Sequence, residues 1–279
     1  MTEISGKTIV ITGGASGMGR LLALKMARCG GTVVVYDLDP GSLDAVVEEI
    51  GATTGRKAYG FVCDVSDREE VYRAAERVHE SVGKVDILIN NAGIVSGRRL
   101  MDTPDEKIEA VIGVNTLALF WVTKSFLPDM LERGSGRIVT VASAAGLLGV
   151  DKQTDYSASK HAAIGFTESL RVELKKTGYP GVRTTIVEPF YVDTGMFEGV
   201  KTRFRRILPI LEQDEVTDRI VRAIQKDRQE LKMPFIVNLV PALHLLPVNI
   251  FDRLADFFGI NASMEEFVGR GERADTPKR

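Results

Sequence analysis

Lys7-Thr8-Ile9-Val10-Ile11-Thr12-Gly13-Gly14-Ala15-Ser16-Gly17-Met18-Gly19 is the stretch on which the fold turns. A run of mostly β-branched residues leads into a glycine-rich turn, and apolar residues at helical spacing follow from Gly19 to Cys29. Strand, turn and helix in that order put free backbone N–H groups and the positive end of a helix dipole at the turn, where anions are favoured. Glycines at positions 13, 17 and 19, with Ser16 and Met18 between them, let the backbone approach a pyrophosphate closely. Alone, such a loop is often only a turn; its place between strand and helix gives it weight.

The same alternation continues along the chain. Lys7–Thr12, Thr32–Tyr36, Ala58–Cys63, Val85–Asn90, Arg137–Ala142, Val182–Val187 and, more weakly, Phe235–Leu239 read as buried strands. Gly19–Cys29, Ser42–Ile50, Arg68–Val82, Asp105–Arg133, Tyr156–Thr177 and Asp214–Asp227 carry apolar residues at helical spacing. Strand and helix in regular turn predict an α/β fold: a doubly wound, seven-stranded parallel sheet with helices on both faces. No Pro-, Gly- or Ser-rich linker and no internal repeat divides it, so residues 1–268 are expected to form a single domain. Residues 269–279 are charged, lack apolar anchors and are expected to be a disordered tail.

Asp37, directly after the second strand, sharpens the nucleotide reading. A carboxylate there accepts hydrogen bonds from ribose hydroxyls and repels a 2′-phosphate, and Ala15, Ser16 and Leu38 offer no cation to rescue one. NAD is therefore favoured over NADP; the plainer alternative is that Asp37 caps the next turn. Asp64 and Val65 follow the third strand, where an adenine could rest.

Composition narrows the field. The chain has 279 residues, 44% hydrophobic and 27% charged, with a net charge of -2 that leaves no broad footprint for nucleic acid. Cys29 and Cys63 lack metal or redox spacing, and ordinary buried thiols in a reducing compartment are expected. His79, His161 and His244 are scattered, so no metal site is expected. No secretory leader is read between Met1 and Lys7, and no uninterrupted apolar run reaches the roughly 18 residues of a spanning helix. A cytoplasmic location is expected, with peripheral membrane contact as one reading of a segment described below.

Tyr156 and Lys160 are four residues apart, on one face of a predicted helix, with Ser143 a short loop upstream. A phenol with a pKa of about 10 is a poor base near neutrality, and a positive charge within about 4–6 Å favours its phenolate. Lys160 is thus expected to tune Tyr156. Such a spacing also arises by chance on amphipathic helices, and structural charge pairs perturb pKa values too. Ser143 ends the fifth strand, where its hydroxyl could bond a substrate oxygen or merely cap a turn. Asn115 interrupts an apolar helix, and its amide must find partners there, catalytic or structural.

Taken together, the Thr12-Gly13-x-x-x-Gly17-x-Gly19 loop, Asn90-Asn91-Ala92-Gly93, Asn115, Ser143 and Tyr156-x-x-x-Lys160 resemble the short-chain dehydrogenases/reductases, over roughly Lys7 to Asn238. The resemblance implies a Rossmann-type subunit with a nicotinamide cofactor. It further implies that Asn115 holds a relay water, Ser143 polarises the substrate oxygen, Tyr156 exchanges the proton and Lys160 also binds the nicotinamide ribose. Asn90 is expected to steady the central sheet, Ala92 and Gly93 to let the adenosine side of the cofactor pass close to backbone, and Asn91 to contact the cofactor. Where the family has Pro-Gly, this chain has Pro189-Phe190, followed by Val192 and Thr194, the latter the candidate for the carboxamide. Val192-Asp193-Thr194-Gly195-Met196-Phe197 and the long C-terminal region look like the branch with retinol and hydroxysteroid dehydrogenases. That implies a small lipophilic alcohol or carbonyl: a retinoid, steroid or long-chain alcohol.

Residues of about 190–260 are expected to form the substrate-binding or lid region. Lys201–Leu211 interleaves basic and apolar side chains, and Phe235–Leu246, Ile250, Phe251, Leu254, Phe257 and Phe258 are large and apolar. A lid, a membrane-surface patch, a dimer interface or core packing would each use them. A homo-dimer or homo-tetramer is expected through the long helices. The function expected is NAD-dependent interconversion of an alcohol and a carbonyl; the alternatives are an NADP-dependent ketone or acyl reductase and a non-catalytic nucleotide-binding redox sensor.

Overall fold

The computed structural model describes residues 2–269, so the tail expectation falls, from residue 270 onward, outside the described residues. Seven strands form one parallel sheet in the order β3-β2-β1-β4-β5-β6-β9. They are β1 Thr8–Thr12, β2 Thr32–Asp37, β3 Ala58–Val62, β4 Ile87–Asn90, β5 Gly136–Val141, β6 Val182–Pro189 and β9 Glu230–Met233. A short parallel pair, β7 Val192–Asp193 and β8 Leu211–Glu212, sits beside the sheet.

Successive side chains of a strand point to opposite faces, so β-branched runs supply two cores at once. On one face Ile9, Ile11, Val33, Val35 and Ile89 pack with Leu22 and Met26 of α1 (Gly17–Arg28), Leu43 and Ile50 of α2 (Pro40–Thr54) and Ile220 and Ile224 of α7 (Gln213–Gln225). On the other, Val10, Val34, Leu88 and Ile138 pack with Val71 and Val78 of α3 (Arg68–Ser81), Val122 and Phe126 of α5 (Ala118–Arg133) and Leu170 and Leu174 of α6 (Thr154–Lys176). The order reverses direction between β1 and β4, which opens a crevice beyond the carboxyl ends of those strands.

The last strand is not the apolar run Phe235–Leu239. That run is a short 3-10 helix with Phe235 and Leu239 exposed, and the strand is β9, paired with β6. Charge hides it in the sequence: Leu231 and Met233 are buried, while Lys232 lies between Glu230 and Glu188, 3.1 Å from the latter. Charges of this kind suit an edge strand with one neighbour. Two helices, α8 Val240–Leu243 and α9 Val248–Phe257, form where no helix is evident from spacing. The segment Asp105–Arg133 is α4 (Asp105–Ile112) joined to α5 by a π turn, Gly113–Leu117. It is long and apolar enough to cross a membrane by length and composition alone. Val122, Phe126 and Met130 are nevertheless buried against the sheet and α3.

At the opposite, amino-terminal edge of the sheet, the guanidinium of Arg137 is almost wholly buried and pairs with Asp227, which also pairs with Arg183. Burial would raise the Asp227 carboxyl, but a hydrogen bond from Thr2 and the charges of Arg137 and Arg183 outweigh it and hold it well below the usual range. Asp227→Asn, tolerated by the positive φ there, is expected to cost roughly 3–5 kcal/mol by stranding a buried cation. The check is a lower denaturant midpoint at unchanged slope. Because the folded carboxyl is depressed, its stabilisation is complete above about pH 4 and fades as pH falls further, so the gap between the two proteins should narrow in acid.

Candidate active site

The glycine-rich turn and the loop after β4 are tied together where the sheet reverses. The Thr12 hydroxyl accepts the backbone N–H of Asn91 at 3.0 Å and of Ala92 at 3.1 Å. The Asn91 amide donates back to the carbonyls of Thr12 and Gly13, both at 3.0 Å. Gly19 must lack a side chain here, since a Cβ would collide with the Gly13 carbonyl oxygen and lie 2.7 Å from the Asn91 amide nitrogen. Helix α1 opens at the crevice with no side-chain cap and no acid in its first turn, leaving its first N–H groups to an external anion. That arrangement fits the pyrophosphate of a dinucleotide.

Asp37 lies at the end of β2, where one carboxylate oxygen accepts the N–H of Ala15 at 2.9 Å and the other that of Leu38 at 2.8 Å. The carboxylate is thereby held at the rim of a cavity of about 270 Å³. Asp64 accepts from the Ser66 N–H at 2.8 Å and hydroxyl at 2.6 Å, which leaves Val65 against the same cavity.

At the other end of the cavity Ser143, Tyr156 and Lys160 are all buried. Ser143 caps the short turn after β5, accepting from Ala145 N–H at 3.1 Å, and its hydroxyl is 3.4 Å from the Pro189 carbonyl. The Lys160 ammonium donates to the Val141 carbonyl at 2.9 Å and lies 5.6 Å from the centre of the Tyr156 ring. Burial pushes Tyr156 well above the ordinary phenol range, against a hydrogen bond with Ser143 that lowers it. Burial likewise brings Lys160 down to about 8. Burial, not Lys160, sets the direction of the Tyr156 shift, and the phenol is neutral beside the ammonium.

Asn115 sits at the centre of the π turn, where the widened backbone aims its side chain inward. Its Oδ1 accepts from Ile94 N–H at 2.9 Å, while its amide donates to the Ile94 carbonyl and the Ser159 hydroxyl, both at 2.9 Å. A Cβ on Gly93 would lie 3.4 Å from both Asn115 Oδ1 and Lys160 Nζ. Gly93 thus stands on the catalytic side of the cavity, not on the adenosine side expected for it. Asn90 reaches the Thr123 hydroxyl at 3.3 Å, which ties β4 to α5.

Of the expected residues, Gly13, Ser16, Met18, Gly19, Asp37, Asp64, Val65, Asn91, Ala92, Gly93, Ser143, Tyr156, Lys160, Pro189, Val192 and Thr194 border the one cavity. Gly17 and Asn115 do not: Gly17 opens α1 at positive φ and Asn115 acts from behind Ile94. Ile94, Met196 and Phe197 line the cavity without having been singled out, and Phe190 lines it beside Ser143. Ile94 is signalled only by its position just past β4, whereas Phe190, Met196 and Phe197 stand in the stretch after β6 that departs from the family's Pro-Gly and resembles the retinol dehydrogenase branch. Phe197 stands edge-on to Tyr156, ring centres 5.7 Å apart.

The family model described as short chain dehydrogenase matches residues 7–203. The chain is 41% identical over 272 residues to epidermal retinol dehydrogenase 2 of Mus musculus, covering 97% of this chain and 88% of that protein. Among solved structures it is similar to a short chain dehydrogenase/reductase from Burkholderia phymatum in complex with NAD, at 32% identity and a TM-score of 0.79, covering 88% and 95% of the two chains. It is also similar to an alcohol dehydrogenase from Thermococcus sibiricus complexed with 5-hydroxy-NADP, at 26% identity and a TM-score of 0.72, covering 81% and 94%.

The clasp between Thr12 and Asn91 makes a direct prediction. Asn91→Leu leaves two carbonyls at the crevice without their donors and is expected to cost about 1–3 kcal/mol, read as a shifted denaturant midpoint. The same variant should bind NADH more weakly, read by the fluorescence of the bound cofactor.

Proposed function

This chain belongs to the short chain dehydrogenase family, on its retinol dehydrogenase-like branch, and we propose that it interconverts a lipophilic alcohol and its carbonyl with NAD as cofactor. The observation that carries this reading is the single cavity that joins the glycine turn and Asp37 to the buried Ser143, Tyr156 and Lys160. A nicotinamide cofactor, when bound, supplies the hydride acceptor or donor. Tyr156 gives the proton to the carbonyl oxygen during reduction and takes it back during oxidation, a role worth roughly 100- to 10,000-fold in rate. Ser143 donates to the same oxygen and steadies its developing charge. Lys160 keeps a positive charge beside the phenol, and Asn115 orients the Ile94 loop and Ser159 around it.

Asp37 supports NAD over NADP, because a 2′-phosphate at the end of β2 would face a carboxylate already fixed by two N–H groups. The apolar lining from Ile94, Phe190, Met196 and Phe197 supports a retinoid, steroid or long-chain substrate. Exposed Phe235, Leu245, Val248 and Phe257 support peripheral contact with a membrane from a cytoplasmic location, within a substrate region of about 190–260. Leu117, Phe120 and Val172, exposed on the outer helices, support a homo-dimer or homo-tetramer.

Two measurements test the reading. With NAD and a panel of retinols, steroids and fatty alcohols, the unaltered protein should form reduced cofactor, and Tyr156→Phe should lose turnover by about 100-fold or more while still binding NADH. Full activity in that variant, or no turnover with any alcohol despite bound NAD, contradicts the proposal. Separately, NADH should bind more tightly than NADPH, and Asp37→Ala should shrink that preference; tighter NADPH binding by the unaltered protein rejects the cofactor assignment.

A further inference from the structure

The last described segment of the chain packs against two loops that flank the cavity. The Ser263 hydroxyl pairs with that of Tyr191 at 2.8 Å, and Met264 is wholly buried with Tyr191 and Val200. The Lys152 ammonium donates to the carbonyls of Met264 at 3.2 Å and Glu265 at 3.1 Å, and the Val268 N–H donates to the Glu198 carbonyl at 2.9 Å. Phe267 then packs edge-on against Phe197, ring centres 6.4 Å apart, and Phe197 in turn packs on Tyr156.

The two flanking loops are shaped to receive this strap. Gly97, after β4, and Gly199, after β7, both hold positive φ, and a Cβ on either would collide, with the Phe267 ring in one case and the Glu266 carbonyl in the other. The strap therefore bridges both loops, with Phe267 at Gly97 and Glu266 at Gly199, and Phe267 stays out of the cavity itself. Phe197 does line the cavity, edge-on to Tyr191 at 5.1 Å and to Tyr156 at 5.7 Å, and Phe267 is the third ring against it, the one the strap contributes.

We propose that Phe267 is a specificity-positioning residue: it holds the Phe197 ring against Tyr156 and so narrows the slot above Tyr156 and Ser143 to slender lipophilic carbinols or carbonyls. This rests on the reading of the site as one for alcohol and carbonyl chemistry. Freed from Phe267, Phe197 can swing away from the phenol, and the slot admits a branched chain next to the reacting carbon. The change falls on binding of the substrate's bulk, so it moves KM and selectivity while leaving the proton transfer intact.

Equilibrium binding to the full-length protein loaded with NAD, which cannot reduce a ketone, tests this, using a straight-chain aliphatic ketone and one branched beside the carbonyl. The unaltered protein should prefer the straight chain, and Phe267→Ala should lower that preference by about tenfold, the size expected for a pocket that gains room for a methylene or two. Turnover of the matching alcohols should show the change in KM with kcat within about threefold. Phe267→Tyr should restore the preference and Phe267→Leu, which keeps an apolar plug if the alanine variant unfolds, should fall between. An unchanged preference in folded Ala and Leu variants overturns the role of Phe267 while leaving the proposed reaction standing. If neither ketone binds the unaltered protein, the reading of the site fails and this inference fails with it.

Discussion

The hydroxyl of Thr12, accepting two backbone N–H groups from the loop after β4, is the contact on which the site depends. A doubly wound sheet parts where its strand order reverses, and the two loops there are pulled apart by helices on opposite faces. Thr12 and Asn91 join them with four hydrogen bonds at the floor of the crevice. The space above stays open, with the helix α1 N-terminus on one side and Gly93, Asn115 and Lys160 on the other. Nucleotide end and catalytic end are thus held by one small polar junction.

Burial does the second part of the work. In water a phenol and an ammonium four residues apart would scarcely affect one another. Inside the cavity, desolvation raises Tyr156 and lowers Lys160 to about 8, so the lysine moves toward neutrality while the phenol holds its proton more firmly. The direction matters: the resting phenol is neutral, and the proposed base would need further positive charge beside it. Lys160 lies 5.6 Å from the ring centre, and its bond to the Val141 carbonyl keeps it there.

Much of this was legible in the sequence, because short-range patterns wrote it. The β-branched runs predict the parallel sheet since each strand is buried on both faces, and six of the seven main strands overlap those runs. The Tyr156 and Lys160 spacing is helical, and α6 realises it. What escaped was long-range. β9 is an edge strand whose Glu230 and Lys232 mask the two buried positions, so the more apolar run that follows drew the assignment. The π turn at Asn115 leaves no mark in composition, and neither does the strap, whose Phe267 meets Gly97 across 170 positions of chain. The sense of the pKa shifts was also out of reach, since it depends on how completely the fold excludes water from the pair.

The central claim is that Tyr156 and its neighbours serve a direct hydride exchange between a carbinol carbon and a nicotinamide ring. Deuterium placed on the carbinol carbon of a retinol or long-chain alcohol follows that exchange without reference to any residue. After incubation with NAD and the protein, mass spectrometry of the recovered cofactor should show one deuterium on the reduced nicotinamide for each carbonyl formed. Carbonyl product accompanied by unlabelled reduced cofactor, with the deuterium released to water, would contradict the account.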